Sequence, residues 1–119
     1  MKIYKFELPL KLPNASEYLQ AINEHTAAAV RQETEEDITS FIRIMPKIKN
    51  PVTLHFIWVE KNYRQDLNNI SFAKKFILDA LVNNGILQSD SYRHVKGFRD
   101  DFICGDQVKV IVEIEEQQL

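Results

Sequence analysis

The segment PVTLHFIWVE, residues 51–60, constrains the fold more than any other part of the sequence. Its apolar side chains fall on both faces of an extended strand, with Phe56 and Trp58 on one face and Ile57 and Val59 on the other. A strand that is apolar on both faces needs neighbours all round it, as the inner strands of a sheet have. The segment therefore predicts a central strand, around which the other elements are arranged.

Alternation of apolar and polar residues predicts three further strands, over residues 1–8, 91–98 and 107–116. Asn14 has Glu17 three positions later, a capping-box spacing that predicts a helix start. The apolar periodicity after it continues to Pro46, as one long helix or as two with a break near His25 and Thr26.

A second main helix is predicted over residues 69–84, with Gly85 as its C-terminal cap. The element order is then β-α-β-α-β-β. This order predicts an α+β fold in which helices pack on a mixed four-stranded sheet in two layers. A chain of 119 residues supports one compact domain, so residues 1–119 are expected to form a single unit.

Cys104 is the single cysteine, which excludes an intrachain disulfide and favours a reducing compartment. The first ten residues are too short and too charged for a signal peptide. No apolar run approaches the roughly 18 residues that span a bilayer. These features predict a cytoplasmic protein with no membrane segment.

Charge is distributed unevenly along the chain. The net charge is −2, yet residues 43–99 hold ten cations and four anions, so the middle is basic and the two ends are acidic. A local positive field can attract a polyanion whatever the total charge. The alternative is that these side chains form ordinary solvated faces.

The stretch DLNNISFAKKFILDAL, residues 66–81, has two interpretations. In the structural one, Asp66 is a helix N-cap, Lys74 and Lys75 form the polar face of a helix, and Asp90 lies in a turn. In the functional one, the carboxylates are hard oxygen ligands for Mg²⁺ and the lysines hold a phosphodiester. That combination is what a metal-assisted phosphodiesterase requires.

Other catalytic motifs are missing from the sequence. It contains no glycine-rich phosphate loop, CxxC, HExxH or GxSxG element, and no small-molecule cofactor is expected. His55 lies inside an apolar strand and is interpreted as a satisfied core or interface histidine. Trp58 is interpreted as a core residue.

Three elements in the middle of the chain, RQDLNNI (64–70), KKFILDALVNNGI (74–86) and Asp90, resemble the RusA family of Holliday-junction resolvases. The resemblance implies a two-layer RusA-like fold and a homodimeric endonuclease. Such an enzyme uses Mg²⁺, with Mn²⁺ as a substitute, to nick opposed strands of a four-way DNA junction.

Carried over by position, the resemblance makes Asp66 the first catalytic acid, Asp90 the last, and Lys75 the supporting lysine. Asn68 stands where the family has a second acid, so the metal ligands would be Asp66, Asn68 and Asp90. An amide oxygen can still coordinate a hard cation but lacks the negative charge. A weakened enzyme, a junction-binding protein without catalysis and an inactivated variant all remain open.

Recognition of the junction is expected through its shape and its phosphates, because no base-reading motif is visible. The candidate phosphate contacts are Lys61, Arg64, Lys74, Lys75, Arg93, Lys96 and Arg99. A protein-interaction domain that touches no DNA is the remaining alternative.

The predicted helix over 69–84 also has a geometric consequence. At 1.5 Å per residue it is about 24 Å long, with Asp66 before it and Asp90 beyond it. We therefore expect a composite site, in which Asp66 of one subunit faces Asp90 of a two-fold partner. Antiparallel packing of this helix across the dimer axis would bring the two residues together.

Overall fold

The computed structural model describes residues 2–118; Met1, where the predicted first strand begins, and Leu119 lie outside the described residues. The strands are β1 (Lys2–Leu8), β2 (Val52–Glu60), β3 (Val95–Cys104) and β4 (Lys109–Glu116). The helices are α1 (Ala15–Asn23), α2 (Ala27–Ile42), α3 (Leu67–Ser71) and α4 (Lys74–Asn83).

The four strands form one sheet in the order β1-β4-β2-β3. β2 is antiparallel to β4 and parallel to β3, so the sheet is mixed and the prediction of a central β2 is confirmed. Phe56 of β2 lies opposite Val112 on one side and Asp100 on the other. β1 forms one edge of the sheet and β3 the other.

The core lies between one face of the sheet and the helices, which confirms the α+β prediction. Phe56 and Val112 of the sheet are fully buried, as are Ile38 of α2 and Ile77 and Leu81 of α4. Burying apolar side chains from both layers is the main favourable contribution to folding such a domain. None of the helices in residues 2–118 has the length and apolarity needed to cross a membrane.

The opposite face of the sheet, called the outer face below, is polar and partly exposed. Lys5, Glu113, His55 and Arg99 lie side by side across its four strands. His55 Nε2 is 2.6 Å from an Asp101 carboxylate oxygen, and Nδ1 is 3.5 Å from a Glu113 oxygen. His55 is thus a satisfied histidine, placed on the outer face.

The predicted boundaries of β3 were wrong. The strand runs from Val95 to Cys104, whereas the sequence pattern indicated 91–98. Ser91 begins a turn, because its carbonyl accepts the backbone N–H groups of His94 and Val95. The charged run after Phe98 continues the strand because it pairs with β2 along its whole length.

Of the two alternatives left open for this region, one long helix or two, the structure has two helices with a break at His25. His25 has a positive φ of 62°, and it separates α1 from α2. The Thr26 N–H donates to the Ala21 carbonyl and the His25 N–H to the Ile22 carbonyl, which closes a Schellman motif. Gly85 ends α4 in the same way, with φ 73°, so its predicted capping role is also confirmed.

The single helix predicted over 69–84 is instead two, α3 and α4. At the junction the Ala73 N–H donates to the Ile70 carbonyl and the Lys75 N–H to the Phe72 carbonyl. Each of these bonds joins an N–H to the carbonyl three residues earlier, as in a 3₁₀-helix, which tightens the helix locally. Phe72 packs against Tyr18 of α1, with ring centroids 5.5 Å apart, and the apolar stripe continues through the break without revealing it.

Replacing His25 with glycine should raise the free energy of unfolding by about 0.5–1 kcal/mol, because glycine adopts positive φ without steric cost. Urea denaturation measures the change. The matched control is Asn23→Gly, two residues earlier at the last position of α1, where the backbone is helical and glycine should destabilise by a few tenths of a kcal/mol. A loss of stability in His25→Gly would contradict the prediction.

Candidate functional site

Asp66 is the N-cap of α3. Its side-chain Oδ1 accepts the Asn69 backbone N–H at 2.8 Å, the usual interaction of a capping carboxylate. The side chains of Asp66 and Asn68 are both exposed. The structural interpretation of Asp66 is therefore confirmed, and its exposure is compatible with a second role as a ligand.

A network of amide side chains fixes the start of α3 against the start of α1. Asn69 Oδ1 accepts the Ser16 backbone N–H at 3.0 Å, and Asn69 Nδ2 donates to Gln65 Oε1 at 2.7 Å. Asn14 Nδ2 donates to the same Gln65 oxygen at 2.7 Å. Asn69 is thus used in packing, whereas its neighbour Asn68 faces solvent.

The two adjacent lysines of α4 have different environments. Lys74 turns toward the sheet, where its Nζ lies 2.6 Å from Asp100 Oδ2 and 4.4 Å from the centre of the Phe98 ring. Trp58 Nε1 donates to the other oxygen of Asp100 at 2.9 Å. The side chains of Lys74 and Asp100 are only 18% and 23% exposed. Lys75 faces solvent.

Asp100 is a polar residue of the helix-facing side of the sheet that sequence reasoning did not single out. The available signal was its position between Phe98 and Phe102 in an alternating strand, which places a carboxylate on an apolar face. A carboxylate there needs a cationic partner. Lys74 provides it.

Asp79 of α4 connects two of the predicted site residues. Burial raises its pKa above the ordinary value, Lys75 opposes this, and Asp90 and Glu35 raise the pKa further. Lys75 and Asp90 therefore both lie within electrostatic reach of Asp79. A groove of about 270 Å³ between α2 and α4 contains Asp79, Glu35 and Arg31.

Asp66 and Asn68 are at the start of α3, whereas Asp90 follows the end of α4. Among residues 2–118 no group of three or more histidine, cysteine or acidic side chains is arranged to hold a metal ion. Within one chain, Asp66 and Asn68 are therefore separated from Asp90 by the whole of α4.

The other predicted DNA contacts are exposed. Lys61 and Arg64 lie in the loop that precedes α3, and Arg93 lies in the turn before β3. Lys96 and Arg99 are exposed on β3, where Arg99 Nε is 3.0 Å from Asp101 Oδ2. Along the chain, the loop cations come just before Asp66, and Arg93 comes just after Asp90.

Compared with protein-family models and with curated proteins, the sequence matches none of them.

Lys74→Met should lower the free energy of unfolding by about 1–3 kcal/mol, because it leaves the Asp100 carboxylate without its cation in a mostly buried position. Lys75→Met is the matched control in the same helix. An exposed lysine with no close ion pair should change stability by less than about 0.5 kcal/mol. Urea denaturation measures both changes. Equal losses of stability in the two variants would show that the Lys74–Asp100 ion pair does not stabilise the fold.

Asp79→Asn should stabilise the protein at neutral pH. The folded state raises the pKa of Asp79 above its ordinary 3.8, so folding favours the protonated carboxyl. This contribution to the free energy of unfolding is present below pH 3.8 and is lost as the pH rises through the pKa of Asp79 in the folded state. Asparagine does not ionise, so the variant does not lose this stability as the pH rises.

Denaturation of both proteins as a function of pH measures this difference. The stability gap should be widest at neutral pH and should close as the pH falls toward 3.8. A gap that is independent of pH would show that packing, and not ionisation, distinguishes the two side chains.

Proposed function

We propose that this chain is a structure-specific DNA-binding protein of the RusA type, a divalent-metal-dependent endonuclease that acts on four-way junctions. The observation that carries the proposal is the exposed pair Asp66 and Asn68 at the start of α3, directly after the cations Lys61 and Arg64. Oxygen ligands next to exposed cations suit a metal ion held against a phosphodiester.

The donor atoms fit a hard cation, but they are few. Mg²⁺ typically takes one or two protein carboxylates and keeps several waters. Asp66 would supply one carboxylate and Asn68 an amide oxygen, with Asp90 as the further acid that the sequence pattern implies. When bound, the metal would polarise a phosphate oxygen and lower the pKa of a bound water.

The protein's own side chains would position the substrate. Arg64 and Lys61 would neutralise the phosphates that approach the acidic residues, and this attraction weakens as salt is added. Lys75, exposed on α4, would hold a phosphate as a point charge. The amide network around Asn69 fixes the start of α3, so the capping carboxylate of Asp66 has a defined place.

Junction binding without efficient cutting is the second candidate, and Asn68 is the observation that favours it. An amide at this position removes one negative charge from the ligand set, which weakens divalent-metal binding. The Asn68 side chain is exposed. Binding to phosphates through Lys61, Arg64 and Lys75 would be unaffected.

Asn68→Asp should increase the cleavage rate of a synthetic four-way junction in Mg²⁺ and in Mn²⁺ by more than about tenfold, since losing even a supporting group of a metal site costs 10- to 100-fold. Asp66→Asn should abolish cleavage. If no variant cuts while all bind the junction, the endonuclease proposal fails and the binding role remains.

Arg64→Gln should weaken junction binding and reduce the salt slope of the binding constant by about one, as loss of a phosphate contact does. Lys5→Gln on β1, on the outer face of the sheet, is the control and should leave the slope unchanged. Equal effects of the two substitutions would indicate a diffuse charge effect. A chain with no salt-dependent affinity for branched DNA would contradict both candidate functions.

A further inference from the structure

A pocket, called the loop pocket below, lies beside the loop that joins β2 to α3, at the ends of β2 and β3. Its volume is about 330 Å³, within the range of about 300–1,000 Å³ that small-ligand sites have. Cys104 Sγ donates to the Lys61 carbonyl and the Gly105 N–H to the Glu60 carbonyl, which holds the start of the loop against the end of β3. The residues that line the loop pocket include Glu60, Tyr63, Gln65, Leu67, Phe102 and Ile103.

The apolar part of the loop pocket is open to solvent. Tyr63 of the loop is 87% exposed, Leu67 of α3 is 57% exposed and Ile103 of β3 is 50% exposed. Phe102 lines the same pocket and packs against the core, so this apolar surface is supported from below. Exposed apolar surface that is bordered by polar groups marks a binding site.

A carboxylate forms the polar part of the loop pocket. Glu60 is half-buried, and its Oε1 accepts the Gln65 Nε2 amide at 3.0 Å, the one hydrogen bond of this side chain within residues 2–118. Burial raises the pKa of Glu60 above its ordinary value, although Lys11 and the Gln65 amide oppose the rise. Its second oxygen can therefore accept an N–H group from a ligand.

The cations beside the loop pocket indicate the class of ligand. Lys61 and Arg64 are both exposed, one before and one after Tyr63 in the same loop. An apolar side chain of a protein partner would gain nothing from these cations, whereas a DNA strand brings phosphates on both sides of each base. Proteins hold single strands in this way, with cations along the backbone and aromatic side chains on which bases stack.

We propose that the loop pocket binds one unpaired nucleobase of a DNA strand. The base stacks on the Tyr63 ring, and Lys61 and Arg64 contact the phosphates on either side of it. An amino group on the edge of the base donates to Glu60. The contact adds a base to a recognition that otherwise depends on shape and phosphates.

The inference rests on the proposed function, because the loop pocket adjoins the candidate metal site. Asp66 lies in the chain between Gln65 and Leu67, which both line the pocket. A base held there keeps its own phosphate beside Asp66. Extruding a base from a regular duplex costs unpairing energy, which an already unpaired base avoids. The pocket thus favours a branch point over a regular duplex.

Short single strands with one base test the pocket. Each strand carries a fluorescent label and is abasic throughout, except that its central position is adenine, thymine or again abasic, so the phosphates are the same in all three. Fluorescence anisotropy at fixed ionic strength measures their affinities. The adenine strand should bind about fivefold or more tightly than the fully abasic strand, as stacking of a base on an aromatic ring provides. Equal affinities of these two strands would overturn the proposal.

Variants of Tyr63 test where the base binds. Tyr63→Ser should remove the gain from adenine and leave the affinity for the fully abasic strand unchanged, whereas Tyr63→Phe keeps the ring and should keep the gain. Tyr92→Ser is the matched control, because Tyr92 is 89% exposed in the turn before β3 and does not line the loop pocket. A gain that survives Tyr63→Ser would overturn the assignment to this pocket.

The choice of base tests the contact with Glu60. Adenine offers an amino group, whereas thymine presents carbonyl oxygens that a carboxylate repels. The adenine strand should therefore bind about threefold or more tightly than the thymine strand, as one hydrogen bond to a charged group provides. Glu60→Gln should narrow this difference. A difference that Glu60→Gln leaves unchanged would overturn the contact with Glu60.

These measurements separate the loop pocket from the proposed function. Arg64→Gln should weaken the binding of every strand by the same factor and leave the gain from adenine intact. Strands that all bind equally, together with junction cleavage that Tyr63→Ser leaves unchanged, would reject the pocket and keep the endonuclease. A gain from adenine that Tyr63→Ser removes, in a chain that neither binds nor cuts four-way junctions, would keep the pocket and reject the proposed function.

Discussion

The position of β2 between β4 and β3 is the constraint on which the rest of the structure depends. β2 pairs with both neighbours along nearly its whole length, and its buried face, with Phe56 and Trp58, forms the floor of the core. Because one neighbour is parallel, the chain must cross over from the end of β2 to the start of β3. α3 and α4 form that crossover, so the candidate site is a product of the sheet's topology.

Two polar anchors hold this crossover in place. At its start, the amide network of Asn14, Gln65 and Asn69 joins α3 to α1. In its middle, Lys74 joins α4 to β3 through Asp100. Both anchors use residues of the same type as a predicted site residue beside them in the sequence, since Asn69 adjoins Asn68 and Lys74 adjoins Lys75. Their side chains differ in environment because the helix rotates successive residues by about 100°.

The sequence predicted what depends on local pattern and on burial. The β2 strand, the cap at Asp66, the break at His25 and the cap at Gly85 all follow from the chemistry of a few consecutive residues. The course of β3 through Arg99, Asp100 and Asp101 did not, because the two carboxylates are satisfied by residues distant in the chain, Lys74 and His55. The split between α3 and α4 was hidden by a continuous apolar stripe. The expected meeting of Asp66 and Asp90 across a two-fold axis stays a prediction, because it concerns a second copy of the chain.

The parallel β2–β3 pair also encloses the candidate site within one loop of the chain. β1, β4 and β2 form an antiparallel unit, whereas β3 joins the sheet through a parallel pair that closes residues 61–94 into a loop, at a cost in chain entropy. All four residues of the predicted catalytic set lie inside that loop. A partly folded chain that had the three antiparallel strands but not β3 would have a substantial core and no site. Hydrogen-exchange protection of β3 would therefore report on the integrity of the site, although β3 itself contributes none of those four residues.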